Sequence, residues 1–315
     1  MKLSSEKIRS LTTGAVGITE TGEGLAFAKC TSAQLDAFRE AAPWIVPNVE
    51  ATTGVRLDFG TDSPFVRVRT VQGDKFEILV DGMLTGQYLM NDARDFTVRL
   101  PEGCRHRVTV TLPSHGTPGV IAGVELADGA MVGRPIYDTK MLFLGDSITQ
   151  GWNTRFDSQS FAYLISRHYH AESVIQGVGG AFFCPPTVPD PDAVGFVPDT
   201  VIVAYGTNDW SFVPSAEKLR ENAGESLRRV KEYYPGARIF VLTPIWRADE
   251  GEDRPMGPFP LCRAVVREEA EKAGLRVIDG SALVPPRMEY MADAVHPNDL
   301  GFAHYALNLI REMEK

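Results

Sequence analysis

Met141-Leu142-Phe143-Leu144-Gly145-Asp146-Ser147-Ile148-Thr149-Gln150-Gly151 is the stretch that decides the fold. A short continuous apolar run enters a glycine-bounded turn that carries two small polar side chains. Such a run is the mark of a strand buried on both faces, and the turn after it is the entry to a helix. Downstream the same rhythm returns at Ser173-Val-Ile175, Val201-Ile-Val-Ala-Tyr205, Ile239-Phe-Val-Leu242 and Leu275-Arg-Val-Ile278. Helical periodicity lies between these runs, over Gln159–His168, Ala216–Tyr233 and Leu261–Ala273, and Leu300–Met313 closes the chain. Leu219, Ala223, Leu227 and Val230 share one face of the second helix. Five parallel strands alternating with helices are therefore expected.

Upstream the period changes. From about Val55 to Val132 apolar and polar residues alternate, as in Val55-Arg-Leu57-Asp-Phe59 and Val108-Thr-Val110-Thr-Leu112. Turn signals at Gln72-Gly-Asp74, Asp81-Gly82, Asn91-Asp92, Pro101-Glu-Gly103 and Asp128-Gly129 separate six to eight strands without intervening helices. Residues 32–42 read as a short helix or a loop. The change of period puts a boundary near residues 133–138. It divides residues 1–135, an antiparallel β-sandwich or jelly roll, from residues 136–315, an α/β domain.

Composition limits the function classes. In 315 residues, 41 acidic side chains outnumber 32 basic ones, and no Lys/Arg cluster forms a stripe, so nucleic acid is not expected as a partner. No apolar run approaches the length that spans a bilayer, and Met1-Lys-Leu-Ser-Ser-Glu-Lys-Ile lacks the apolar core of a secretion signal. A cytoplasmic protein with no membrane partner is the expectation. Cys30, Cys104, Cys184 and Cys262 are scattered, with no CxxC pair and no metal-ligand spacing, so neither a metal nor another cofactor is expected.

The candidate chemistry sits at strand ends, where open α/β sheets bind ligands. Gly145-Asp-Ser147 alone would more often be a turn and a helix cap. It has company: Gln176-Gly-Val-Gly-Gly180 after the second run, Gly206-Thr-Asn208-Asp209 after the third, and Asp293-Ala-Val-His296-Pro297 before the last helix. A serine hydroxyl needs a base, histidine is the natural one near neutrality, and a carboxylate three residues away can orient it. The oxyanion that forms needs preorganised donors: the Ser147 N–H, a glycine N–H of the second block and the Asn208 amide.

Taken together, the four blocks resemble the GDSL or SGNH hydrolases, named for catalytic Ser, Gly, Asn and His. The resemblance covers residues 140–315 and implies a three-layer, flavodoxin-like α/β/α domain with a five-stranded parallel sheet. It implies Ser147 as nucleophile, Asp293 and His296 as the rest of a triad, and Ser147, Gly180 and Asn208 as the oxyanion hole, with Gly179 as the alternative register. A β-sandwich ahead of such a domain resembles family 2 carbohydrate esterases and some related esterases and acyltransferases. That implies hydrolysis of small O-acyl esters, O-acetyl above all, on a carbohydrate partner. A longer-chain lipase or thioesterase, an acyltransferase, and a binding module with a vestigial triad are the competing readings. Asp146 and Asp209 are expected to tie strand-end loops together. Trp210 and Trp246, with Trp152 after Ser147, are candidate aromatic walls, and Thr243–Phe259 is a candidate substrate-contacting loop. The other histidines, His106, His115, His168, His170 and His304, lie in no recognised block.

Overall fold

A computed structural model describes residues 1–89 and 94–315. The parallel sheet consists of β1 (Thr139–Gly145), β2 (Ala171–Gly177), β3 (Thr200–Ala204), β4 (Arg238–Leu242) and β5 (Arg276–Ile278), in the order β2-β1-β3-β4-β5. All four pairings are parallel. The order reverses beside β1, so the crevice beyond its carboxyl end is the topological switch point.

Among the helices of this half are α1 (Ser147–Gln150), α2 (Phe161–His168), α3 (Thr207–Phe212), α4 (Ala216–Tyr233), α5 (Phe259–Lys272) and α6 (Asp299–Met313). Four of them, α1, α2, α4 and α6, start where side-chain oxygens cap free N–H groups: Ser215 accepts from Lys218 N at α4, and Asn298 from Gly301 N at α6. Leu219, Ala223, Leu227 and Val230 of α4 are all buried on one face of the sheet, against Val265 and Val266 of α5. On the opposite face, α2 and α6 meet through stacked Phe161 and Tyr305 rings, with centroids 4.1 Å apart. The expected three-layer α/β/α arrangement is present.

Two antiparallel sheets precede it. One has the order Thr12–Thr13, Arg56–Thr61, His106–Thr111, Lys75–Val80, Met83–Leu89, with Val132–Gly133 also on Arg56–Thr61. The other runs Gly17–Glu20, Leu25–Ala28, Val120–Leu126, Phe65–Gln72, Asp95–Arg99. Their inward residues, among them Phe59, Val68, Phe76, Val110 and Val124, form one apolar core, as two-residue alternation requires. The Asn91-Asp92 turn signal lies outside the described residues.

Between Ala28 and Arg56 the chain leaves the sandwich. Ser32–Ala41 is a helix, closed at its start by a capping box of Thr31 and Gln34, and Pro43–Ile45 and Val46–Glu50 follow as short turns of helix. Phe38, Ile45 and Val49 pack on Val178 and Ala181, just beyond β2. Polar ties reinforce this contact. Gln34 and Gln176 exchange amide hydrogen bonds at 2.8 and 3.0 Å. The Lys29 ammonium, wholly buried, donates to Asn48 O, Thr53 Oγ1 and Gly177 O at 2.7, 2.8 and 2.8 Å. Thr53 Oγ1 itself donates to Ser114 O, so all three oxygens accept from Lys29.

Candidate active site

Asp146, at the end of β1, accepts from Ile148 N and thereby caps α1, so Ser147 is the first residue of that helix. Gly177 at the end of β2 lets α1 come close: a Cβ there would stand 2.2 Å from Gln150 N. Ser147 is buried except for a small opening, and its hydroxyl donates to His296 Nε2 at 2.8 Å. The His296 Nδ1–H faces Asp293, at 2.8 Å from Oδ2 and 3.1 Å from Oδ1.

Asp293 is itself held. Its Oδ1 accepts from the N–H groups of Val295 and His296, and its Oδ2 from Asn153 Nδ2 at 2.7 Å. Partial burial works to raise the carboxyl, but the N–H groups of His296 and Val295 and the imidazole outweigh it and hold it below the usual carboxylate range. Asn153 sits just past α1 with φ +69°, a left-handed conformation that asparagine tolerates better than most residues.

In the second strand-end loop the two glycines have different contacts. Gly179 N–H donates to Gln150 Oε1 at 2.6 Å, while Gln150 Nε2 donates to Ser114 O at 2.6 Å. Gly180 has φ +86°, and a Cβ on it would strike Trp44 and Ile45 at 2.6 and 2.7 Å. Asn208, in α3, donates one amide hydrogen to Ala181 O at 3.0 Å, which fixes its side chain beside the same loop.

Asp146 and Asp209 are both buried away from solvent. Burial pushes each carboxyl up to about 7, against the Ile148 N–H for Asp146 and the Phe183 N–H for Asp209. Asp209 Oδ1 accepts from that Phe183 N–H at 3.1 Å and so links α3 to the loop after β2. Neither carboxylate contacts the Ser147 hydroxyl.

The aromatic expectations need correction. Trp210 is fully buried and forms no wall: Arg247 and Arg254 lie over its ring at 4.8 and 4.7 Å, and its Nε1–H donates to Gly257 O. Trp246 is partly buried against the apolar layer of α2 and α6. In the loop after β4, Arg247 is buried, pairs with Asp249 through both oxygens and donates to Thr207 O. Ala248 N–H reaches Ala294 O at 2.7 Å, so this loop supports the histidine loop from behind.

Trp152 does flank the site, its ring 6.3 Å from that of His296. His115, from the sandwich half, packs edge-on against Trp152 at 5.0 Å, and burial pushes its imidazole down to about 4. On the other side, Trp44 and Phe212 meet edge to face at 5.2 Å beside Gly180, exposed by 57% and 55%. Sequence reasoning missed Trp44, Phe212, His115 and Asn153. An aromatic next to Pro43 and a histidine in a turn carry no local signal of a cleft formed by chain segments so far apart.

Solved structures share this fold. The salicylyl-acyltransferase SsfX3 from a tetracycline biosynthetic pathway superposes with a TM-score of 0.83 over 96% of this chain and 93% of that one, at 22% identity. A family two carbohydrate esterase from Cellvibrio japonicus gives 0.70 over 100% and 97%, at 17% identity. A family two carbohydrate esterase from Clostridium thermocellum in complex with cellohexaose gives 0.64 over 82% and 91%, at 19% identity. At these identities the likeness speaks to fold. No curated protein matches the chain by sequence. Residues 143–304, half of the chain and all four strand-end blocks, match the GDSL-like lipase/acylhydrolase family, and the chain belongs to that family of ester hydrolases.

Proposed function

We propose that this ester hydrolase is a serine esterase that removes small O-acyl groups, O-acetyl foremost, from carbohydrates through an acyl-enzyme on Ser147. The observation that carries the mechanism is the chain of contacts from Ser147 Oγ through the two ring nitrogens of His296 to Asp293, with heavy-atom distances of 2.8 and 2.8 Å. His296 Nε2 takes the serine proton as Oγ attacks the ester carbonyl, and Asp293 stabilises the imidazolium. The N–H groups of Ser147 and Gly180 and the second amide hydrogen of Asn208 receive the oxyanion. Each such donor is worth roughly 2.7–4 kcal/mol in the transition state. Protonated His296 then returns its proton to the leaving alcohol, and water attacks the acyl-enzyme by the reverse path. Gly180 is favoured over Gly179 because the Gly179 N–H is already committed to Gln150.

The carbohydrate assignment is supported by the two-part architecture shared with the family two carbohydrate esterases. The exposed Trp44 and Phe212 faces beside the oxyanion loop also support it, since aromatic faces stack on sugar rings. Transfer of the acyl group to an alcohol other than water is the second reading, favoured by the likeness to a salicylyl-acyltransferase along nearly the full chain. Turnover of aryl esters of graded chain length and of acetylated oligosaccharides, by the wild type and Ser147→Ala, tests the proposal. Full activity in the alanine variant would refute the nucleophile. Cleavage of long chains alone would refute the acetyl-carbohydrate assignment. Acylated alcohol in place of free acid, when an alcohol is added, would favour the second reading.

A further inference from the structure

A cavity of about 410 Å³ lies between the sandwich and α2, far from the catalytic crevice. Ala171 lines it and begins β2, whereas Gly177 ends β2 at the catalytic face, so a seven-residue strand of ~20 Å separates the two. Among the cavity's charged residues are Arg56, Asp58, Asp81, Arg107 and Arg167.

The acids are already satisfied. Buried Asp58 takes both branches of Arg107, at 2.9 and 2.6 Å, and the hydroxyls of Tyr137 and Thr109 at 2.7 and 3.3 Å. Asp81 is held by His106 Nδ1 and Arg107 N, at 2.6 and 2.8 Å.

The remaining two guanidinium groups make no hydrogen bond to an acid among the described residues, although the Asp58 carboxylate acts on Arg56 through space. Arg56 is only 4% exposed, yet its hydrogen bonds all go to neutral oxygens: Gly54 O at 3.1 Å, Ser173 Oγ at 3.3 Å and Ala171 O at 3.4 Å. It also lies over the Tyr163 ring at 5.5 Å. Arg167 donates to Gly82 O alone, at 2.6 Å. A buried guanidinium is ordinarily paired with an acid, because removing its charge from water is costly. Here the space beside it is open.

We propose that this cavity is a second ligand site, which takes the phosphate group of a small phosphorylated molecule between Arg56 and Arg167. Three guanidinium groups face two carboxylates in this lining, which leaves it net positive, and Arg56 and Arg167, neither hydrogen-bonded to an acid, offer planar donor pairs that suit phosphate oxygens. A pocket of this size has room for a phosphate and a small organic group beyond it.

The test is calorimetric titration of the whole chain with inorganic phosphate and with phenyl phosphate at constant ionic strength, with acetate as the carboxylate control. Saturable binding of both phosphates is expected, weakened about tenfold or more in Arg167→Ala and in Arg56→Lys. Arg167 is exposed, so its alanine variant folds normally and keeps wild-type ester turnover even if an Arg56 variant fails to fold. Asn208→Ala, which alters the catalytic crevice, leaves phosphate binding unchanged. Absence of saturable binding, equal binding by Arg167→Ala, acetate binding as tightly as phosphate, or loss in Asn208→Ala would each overturn the proposal.

Discussion

Replacing Lys29 by methionine tests how the amino-terminal half supports the loop that carries Gly180, the proposed oxyanion donor. The two side chains have similar length, so the change removes a charge and three donors with little change in volume. Each hydrogen bond from a charged group contributes about 1.5–3 kcal/mol. Opposing that loss, burial pushes the amine from its ordinary 10.5 down to about 7, with Cys30 pulling the other way. This shift corresponds to roughly 5 kcal/mol of ammonium desolvation that methionine escapes. The terms largely offset, and the expected loss is about 2 kcal/mol of stability at pH 6 by urea denaturation. Catalysis should suffer separately, because Gly177 O anchors the loop that carries Gly180. A tenfold fall in kcat on an aryl acetate, equivalent to about 1.4 kcal/mol, with KM within about twofold, is expected of a misplaced oxyanion donor. The pH dependence adds an independent check. Between about 7 and 10.5 the unfolded chain keeps a proton that the folded one releases, so wild-type stability rises with pH across that window. Lys29→Met lacks this rise. A folded variant with wild-type kcat, or an unchanged pH slope of stability, would refute the reasoning.

Asp293→Asn preserves size but removes the charge that stabilises the imidazolium, and kcat should fall by about 10⁴ with the fold intact by circular dichroism. Asp209→Asn should flatten the dependence of stability on pH. The folded Asp209 binds its proton up to about 7 and the unfolded one only to 3.8, so its stabilising effect is full below 3.8 and disappears as pH rises through 7. The ceiling on that effect is roughly 4 kcal/mol over the whole window, of which about 2.7 kcal/mol separates denaturation midpoints read at pH 5 and pH 8. Trp44→Ala removes an exposed stacking face worth about 0.5–1.5 kcal/mol. It should raise KM for acetylated oligosaccharides several-fold while leaving kcat for a small aryl acetate near wild type.

The parallel sheet was legible because strands buried on both faces read as unbroken apolar runs, and every such run became a strand within two residues of its expected ends. The helix faces were legible for the same reason, since Leu219, Ala223, Leu227 and Val230 recur at helical spacing. What periodicity does not encode is which aromatic faces a cleft. Trp210 follows a strand-end block just as Trp152 does, yet two arginines of the next loop enclose it while Trp152 stays beside His296. Trp44 and His115 reach the site only because residues 29–54 and the Ser114 turn fold across to α1 and β2. What distinguishes Gly179 from Gly180 is a side chain, Gln150, whose own sequence context says nothing of its partner.

The Lys29 bridge also bears on the order in which the molecule assembles. Its partner Gly177 lies 148 residues along the chain, and closing so long a loop is entropically demanding and slow. The sheets and helices can form from nearer neighbours before that closure. During refolding from denaturant, helical signal should therefore return ahead of esterase activity. A nascent chain would likewise complete the machinery for bond cleavage only after Lys29 had found Gly177.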